Sequence, residues 1–149
     1  MSKSTLMIWV LAAVAAGLVL AGAGIVTQAF PPWVLDFSRA VAVAERGNKE
    51  ISSGIITRNN PGDIESAGIV ITYPDLASGW NALYTLVAGM FSGDGLYHPD
   101  MSINEIAQIY VCGPAGGICP GGVAWAHNVA SALGVSPNTS LTDVMRSYG

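Results

Sequence analysis

Apolar positions fall into three regimes along the chain. From Leu6 to Val26 they are continuous, LMIWVLAAVAAGLVLAGAGIV, without one charge. From Phe37 onward they recur at helical spacing. Phe37, Ala40, Val41 and Ala44 form one stripe, with Asp36 as the expected N-cap and Gly47 as the stop. Between these regimes, residues 31–36 read as a linker opened by the stiff pair Pro31-Pro32. A polar loop is expected over Asn48–Asn60, closing on Asn59-Asn60-Pro61-Gly62, a turn by composition. Ile69–Tyr73 is a short β-prone run. Pro74-Asp75 opens a second helix with Leu76, Trp80, Leu83, Val87 and Met90 on one face. Ser102 and Glu105 have the spacing of a capping box for a third helix, to about Tyr110. A fourth runs from about Val123 to Leu133, stopped by Gly134, and Thr142–Tyr148 adds a final turn. The fold class is mainly α with a small β-element, in one domain over residues 37–149.

The first regime is membrane material. Twenty-one residues at about 1.5 Å each match the roughly 30 Å of a bilayer's hydrocarbon core. Lys3 lies before the run and Asp36 is the next charge after it, so the basic end stays inside and the rest is exported. A retained anchor within residues 1–30 is one reading. The other is a cleaved signal, with Met1–Thr5 as its basic region, Leu6–Leu20 as its apolar stretch and Ala21-Gly22-Ala23 as its cleavage site. Both place the domain outside a membrane, in a periplasm or exterior, with a viral inner membrane as one setting for the anchor.

Charge narrows the partners. The chain carries −4. Without Lys3, five basic residues face ten acidic ones, so no nucleic-acid surface is expected. Cys112 and Cys119 lack the spacing of zinc knuckles, and only two histidines, His98 and His127, exist to help them. In an oxidising compartment a disulfide is the expected state; two free buried thiols are the alternative. No metal or cofactor is expected.

Glu45 is the residue with chemistry. It borders the apolar stripe of its helix and lies near the helix C-terminus, whose dipole disfavours a carboxylate. Both effects raise its proton affinity, as a proton donor to a glycosidic oxygen requires. The competing reading pairs Glu45 with Arg46 or Lys49 at a solvated helix end. Asp63 and Glu65 are candidates for a second carboxylate, against the plainer reading of solvated loop acids. Trp80, Leu83 and Val87 read as core. No nucleophile-elbow serine or phosphate loop is present.

Five segments in order carry a resemblance. They are Ala40–Gly47 (AVAVAERG), Arg58–Ile64 (RNNPGDI), Gly79–Tyr84 (GWNALY), Met101–Tyr110 (MSINEIAQIY) and Trp125–Pro137 (WAHNVASALGVSP). Together they resemble the small lysozyme-like transglycosylase domains of phages and bacteria, with their AIAxAEG, RNNNPGNI and WAxNVAxALGVSP runs. The resemblance implies a lytic transglycosylase acting on the glycan strands of peptidoglycan, with Glu45 as the single acid and base. It implies that the Asn59–Ile64 turn shapes the cleft, Asn59 and Asn60 offering amides to N-acetyl groups, with Tyr73 and Tyr110 as further substrate-binding positions. Two departures stand out: Asp63 replaces the family's Asn, and the Cys112–Cys119 segment is unusual. The rival expectation is a non-catalytic, membrane-anchored structural or wall-binding protein of the same fold.

Overall fold

The computed structural model describes residues 29–149 and, before them, only the backbone of two dipeptide strands, β1 (Leu20–Ala21) and β2 (Gly24–Ile25), paired antiparallel. The anchor-or-signal expectation for residues 6–26 otherwise lies outside the described residues. Among the described residues, no helix is long and apolar enough to cross a membrane.

The protein is mainly helical, with a small hairpin. Helix α1 (Pro32–Arg46) starts five residues before the expected Phe37, so most of the expected linker is its first turn. Prolines explain the difference. Pro31 holds the extended N-cap conformation and Pro32 sits at the first helical position, where its missing N–H costs nothing. Asp36 is therefore an exposed helical residue, not a cap, and its carboxylate accepts a hydrogen bond from the Tyr148 hydroxyl (2.8 Å). Val34, Phe37, Ser38, Val41 and Ala42 form the buried face of α1. Gly47, at φ 80°, ends it by donating its N–H to the Val43 carbonyl.

The expected loop after Gly47 contains more structure. Helix α2 (Asn48–Ser53) precedes a left-handed Gly54, and a 3-10 turn follows at Thr57–Asn59. Glu50 closes the segment, its carboxylate accepting the Thr57 N–H at 2.7 Å. Strands β3 (Glu65–Ser66) and β4 (Ile69–Val70) pair antiparallel, Glu65 opposite Val70 and Ser66 opposite Ile69. Ala67 and Gly68 turn between them with φ of 52° and 78°, the two positive values a tight two-residue hairpin requires. The expected β-run stops pairing after Val70. Ile71 instead donates to the Ile64 carbonyl, and Tyr73 to that of Arg58. The remainder is thus an extended lace across the 58–64 turn.

Asp75 caps helix α3 (Leu76–Ser92) by accepting the Ser78 N–H at 2.7 Å. The capping box of Ser102 and Glu105 is present on helix α4 (Ile103–Tyr110). Helix α5 (Pro120–Leu133) starts three residues before Val123, again because a proline fills its first position, with Cys119 as N-cap. Helix α6 (Leu141–Arg146) closes the chain, and a lone bridge joins Ser140 to Ser102. Helix α1 packs chiefly on α5 and α3, and α4 on α5. The core between them holds Phe37, Val41, Leu83, Val87, Ile106 and Val129. Phe37 meets Phe91 edge to face at 5.5 Å.

Candidate active site

The C-terminal end of α1 faces the 58–64 turn, and Arg46 ties the two together. Its Nη2 donates to Asp63 Oδ1 at 2.7 Å and its Nε to the Asn60 carbonyl at 3.1 Å. The Arg46 side chain is 13% exposed and that of Asp63 39%, so the pair is partly withdrawn from water. Arg46 thus spends its guanidinium on Asp63, and among the described residues no cation forms a salt bridge with Glu45. Asp63 adopts φ 50°, a left-handed conformation that Asn and Asp tolerate better than most residues.

Glu45 is half-buried, and its pKa is raised to about 7. Burial is the largest cause. The Asp63 charge adds to it, with a smaller push from Glu65. Trp125 and Arg46 act the other way, favouring the carboxylate. Arg46 is the weaker of these two; its charge is already shared with Asp63. Glu45 therefore holds its proton at mildly acidic pH.

Asn60 corrects an expectation. Its side chain is wholly buried, and its amide is used inside the protein. Nδ2 donates to the carbonyls of Ile64 and Ile71, and Oδ1 accepts the Ile64 N–H, all at 2.9 Å. An amide so engaged braces the turn against the lace and has no free face for a sugar. Asn59 is half-buried, its Nδ2 donating to the Tyr73 carbonyl at 3.1 Å. With Arg58 it takes positive φ (59° and 52°). Helix α3 approaches this turn so closely that a Cβ on Gly79 would lie 1.7 Å from the Asn59 carbonyl oxygen.

Tyr110, at the end of α4, donates its hydroxyl to the Gly62 carbonyl, a very short contact. Gly62 must lack a side chain here, since a Cβ would meet Leu83 Cδ1 at 2.7 Å and the Tyr110 hydroxyl at 3.1 Å. Burial pushes the Tyr110 pKa up, and the charge of Glu45 raises it further, followed by Tyr97, Asp63 and Tyr73. Glu45, Asp63, Tyr73 and Tyr110 thus share one electrostatic neighbourhood. Tyr73 packs part-buried against the core, and burial raises its pKa too. Glu65 is exposed on the hairpin.

Trp125 is the site residue that the sequence reading left without a role. It is 4% exposed and packs against Tyr110 with the rings tilted, centroids 5.3 Å apart and planes at 32°. The signal was available: a tryptophan on the buried stripe of a helix, with Ala126, Val129 and Ala130, needs a partner for its N–H. Cys112 and Cys119 form a disulfide (Cα–Cα 5.8 Å), joining the segment after Tyr110 to the start of the helix that carries Trp125. The bond is close against α5, since a Cβ on Gly122 would stand 2.5 Å from Cys112 Sγ.

Two shallow depressions lie elsewhere. One of ≈330 Å³ is lined by Asn104, Gln108, Ile118 and His127 beside the disulfide. The other, ≈520 Å³, is lined by Asp36, Arg39, Asn48 and Tyr148. Neither is lined by Glu45. Among the described residues, no cluster of His, Cys, Asp and Glu has the arrangement of a metal site. No protein-family model, curated protein or solved structure matches the chain.

Proposed function

We propose that this chain is a lytic transglycosylase that cuts the glycan strands of peptidoglycan outside a membrane, with Glu45 as its single acid and base. Glu45 protonates the glycosidic oxygen as the bond to the sugar carbon breaks. The resulting carboxylate then takes the proton of that sugar's own 6-hydroxyl, whose oxygen closes onto the carbon in an anhydro ring. No water enters the products, and Glu45 returns to its starting state.

The observation that carries this reading is the Glu45 pKa of about 7, beside a carboxylate that is already paired. An acid must hold a proton at working pH and yield it to a poor base, which an ordinary solvated glutamate does badly. Two-carboxylate hydrolysis needs a second free acid. Asp63 is bound to Arg46, and Glu65 lies out on the hairpin, so a one-carboxylate mechanism fits these residues better. The test is Glu45→Gln, which keeps the shape and removes the proton. Cleavage of purified peptidoglycan should fall by ~10²–10⁴-fold. Undiminished cleavage by the variant would move the acid elsewhere, with Glu65 the next residue to change.

A further inference from the structure

Of the buried polar groups in the described residues, Trp125 Nε1 raises the sharpest question. It is shielded from solvent and has no hydrogen-bond partner. A buried donor left unpaired is destabilising, and a tryptophan chosen for bulk alone could be replaced by phenylalanine without that cost. The shielding rules out an incoming sugar as the partner, because substrate cannot reach the nitrogen. The ring is also fixed in place. It lies against Tyr110 at 5.3 Å, Tyr110 is pinned through its hydroxyl to Gly62, and α5 is packed along α1. The partner must therefore come to the indole from inside the protein, and half-buried Glu45, at the end of α1, lies near enough for the indole to favour its carboxylate.

We propose that Trp125 is a positioning residue for Glu45: its indole N–H is held ready for the Glu45 carboxylate and donates a hydrogen bond to it once the proton has left. The donor has little to offer the protonated acid and much to offer the anion, since hydrogen bonds to charged acceptors are the strong ones. The protein thereby makes Glu45 a proton donor through burial and Asp63, and limits the cost of the charge that donation creates. The groups acting on Glu45 are Asp63 and Glu65, which oppose ionisation, and Arg46 and Trp125, which favour it. Tyr110 faces it as a neutral phenol, with Tyr73 and Tyr97 behind. Among these, Trp125 offers a neutral donor that is shielded from solvent and unpartnered.

The pairing itself does not depend on the proposed activity; its consequence for turnover does. The experiment is an NMR titration of the full chain in detergent micelles, following the Glu45 side-chain carboxyl carbon and the Trp125 indole N–H. In the native protein the indole proton should move downfield with the same midpoint as Glu45. In Trp125→Phe the Glu45 midpoint should rise by roughly half a unit to one unit, the loss of one charge-assisted hydrogen bond. An indole resonance that stays flat while Glu45 titrates overturns the proposal, and this readout requires no variant to fold. An unchanged midpoint in folded Trp125→Phe overturns it equally. If cleavage is detectable, the pH at which it falls off should move up with the midpoint. A shifted midpoint in a protein that never cleaves glycan would leave the pairing standing and count against the transglycosylase reading alone.

Discussion

Replacing Asn60 with alanine should unfold the site before it disturbs any chemistry. The side chain makes three hydrogen bonds, two from Nδ2 to the carbonyls of Ile64 and Ile71 and one at Oδ1 from the Ile64 N–H, each 2.9 Å. The residue is wholly buried, so water cannot replace the lost partners without opening the turn. Each such bond contributes about 0.5–1.5 kcal/mol net, and each group left unsatisfied costs more. The expected loss is therefore about 2–4 kcal/mol, a large part of the roughly 5–15 kcal/mol available to a single domain. At about 4 °C per kcal/mol for a domain of this size, Tm should drop by about 8–16 °C. Urea unfolding followed by circular dichroism measures the loss, and Asn60→Asp is the informative partner because it keeps the shape and the acceptor while removing both donors. Both variants should be strongly destabilised. An Asn60→Ala protein within about 0.5 kcal/mol of native stability, yet unable to cleave glycan, would refute the brace and return Asn60 to direct substrate contact.

The Glu45 pKa of about 7 fixes a second expectation, whose sign follows from proton linkage. The folded value lies above the ordinary 4.5, so the folded state holds the proton more tightly and stability falls as pH rises from about 4.5 through 7. Glu45→Gln should therefore melt higher than the native protein at pH 8 and equal to it at pH 4; the opposite order in paired thermal melts would contradict a buried, disfavoured carboxylate. Asp63→Asn removes the charge that opposes Glu45 ionisation and frees Arg46, so the pH above which cleavage fails should move down; a move upward in a pH–rate profile would reverse the assigned roles. Gly79→Ala places a Cβ 1.7 Å from a backbone oxygen. It should cost about 1–3 kcal/mol despite alanine's better helix propensity, and unchanged urea unfolding would refute the close approach. Cys112 and Cys119 should resist alkylation until a reductant is added, and opening the bond should cost about 2–3 kcal/mol; two thiols labelled without reductant, read by intact mass, would remove the staple.

Helix stripes and caps made most of the fold legible in the sequence. Phe37, Val41, Leu83, Val87 and Val129 mark core faces by spacing alone, and the Ser102–Glu105 box places its helix to the residue. Helix starts were less legible where proline opens them. Pro31-Pro32 reads as a stiff linker and Pro120 falls before the expected start at Val123, because a proline looks the same before a helix as at its first position. The site divided along a different line. Glu45 stands out because it borders a helix stripe near the helix end, which favours a raised pKa, and because the resemblance puts the acid there. Asn60 misleads because an asparagine in a Pro-Gly turn can point its amide inward or outward, and only the lace from Ile71 to Tyr73 decides. For Trp125 the helix stripe marks a buried tryptophan whose N–H needs a partner, but not which residues lie beside it; Tyr110 and the orphaned N–H show only in the fold.

The central claim is tested most directly by mass spectrometry of the products released from purified peptidoglycan by the full chain. The account predicts muropeptides with anhydro ends, lighter by one water than hydrolysis products, and none from Glu45→Gln. Products with reducing ends would make the protein a hydrolase with a water-accessible cleft. No products from a folded native chain would contradict the enzymatic reading and leave a wall-binding or structural protein built on the same helices.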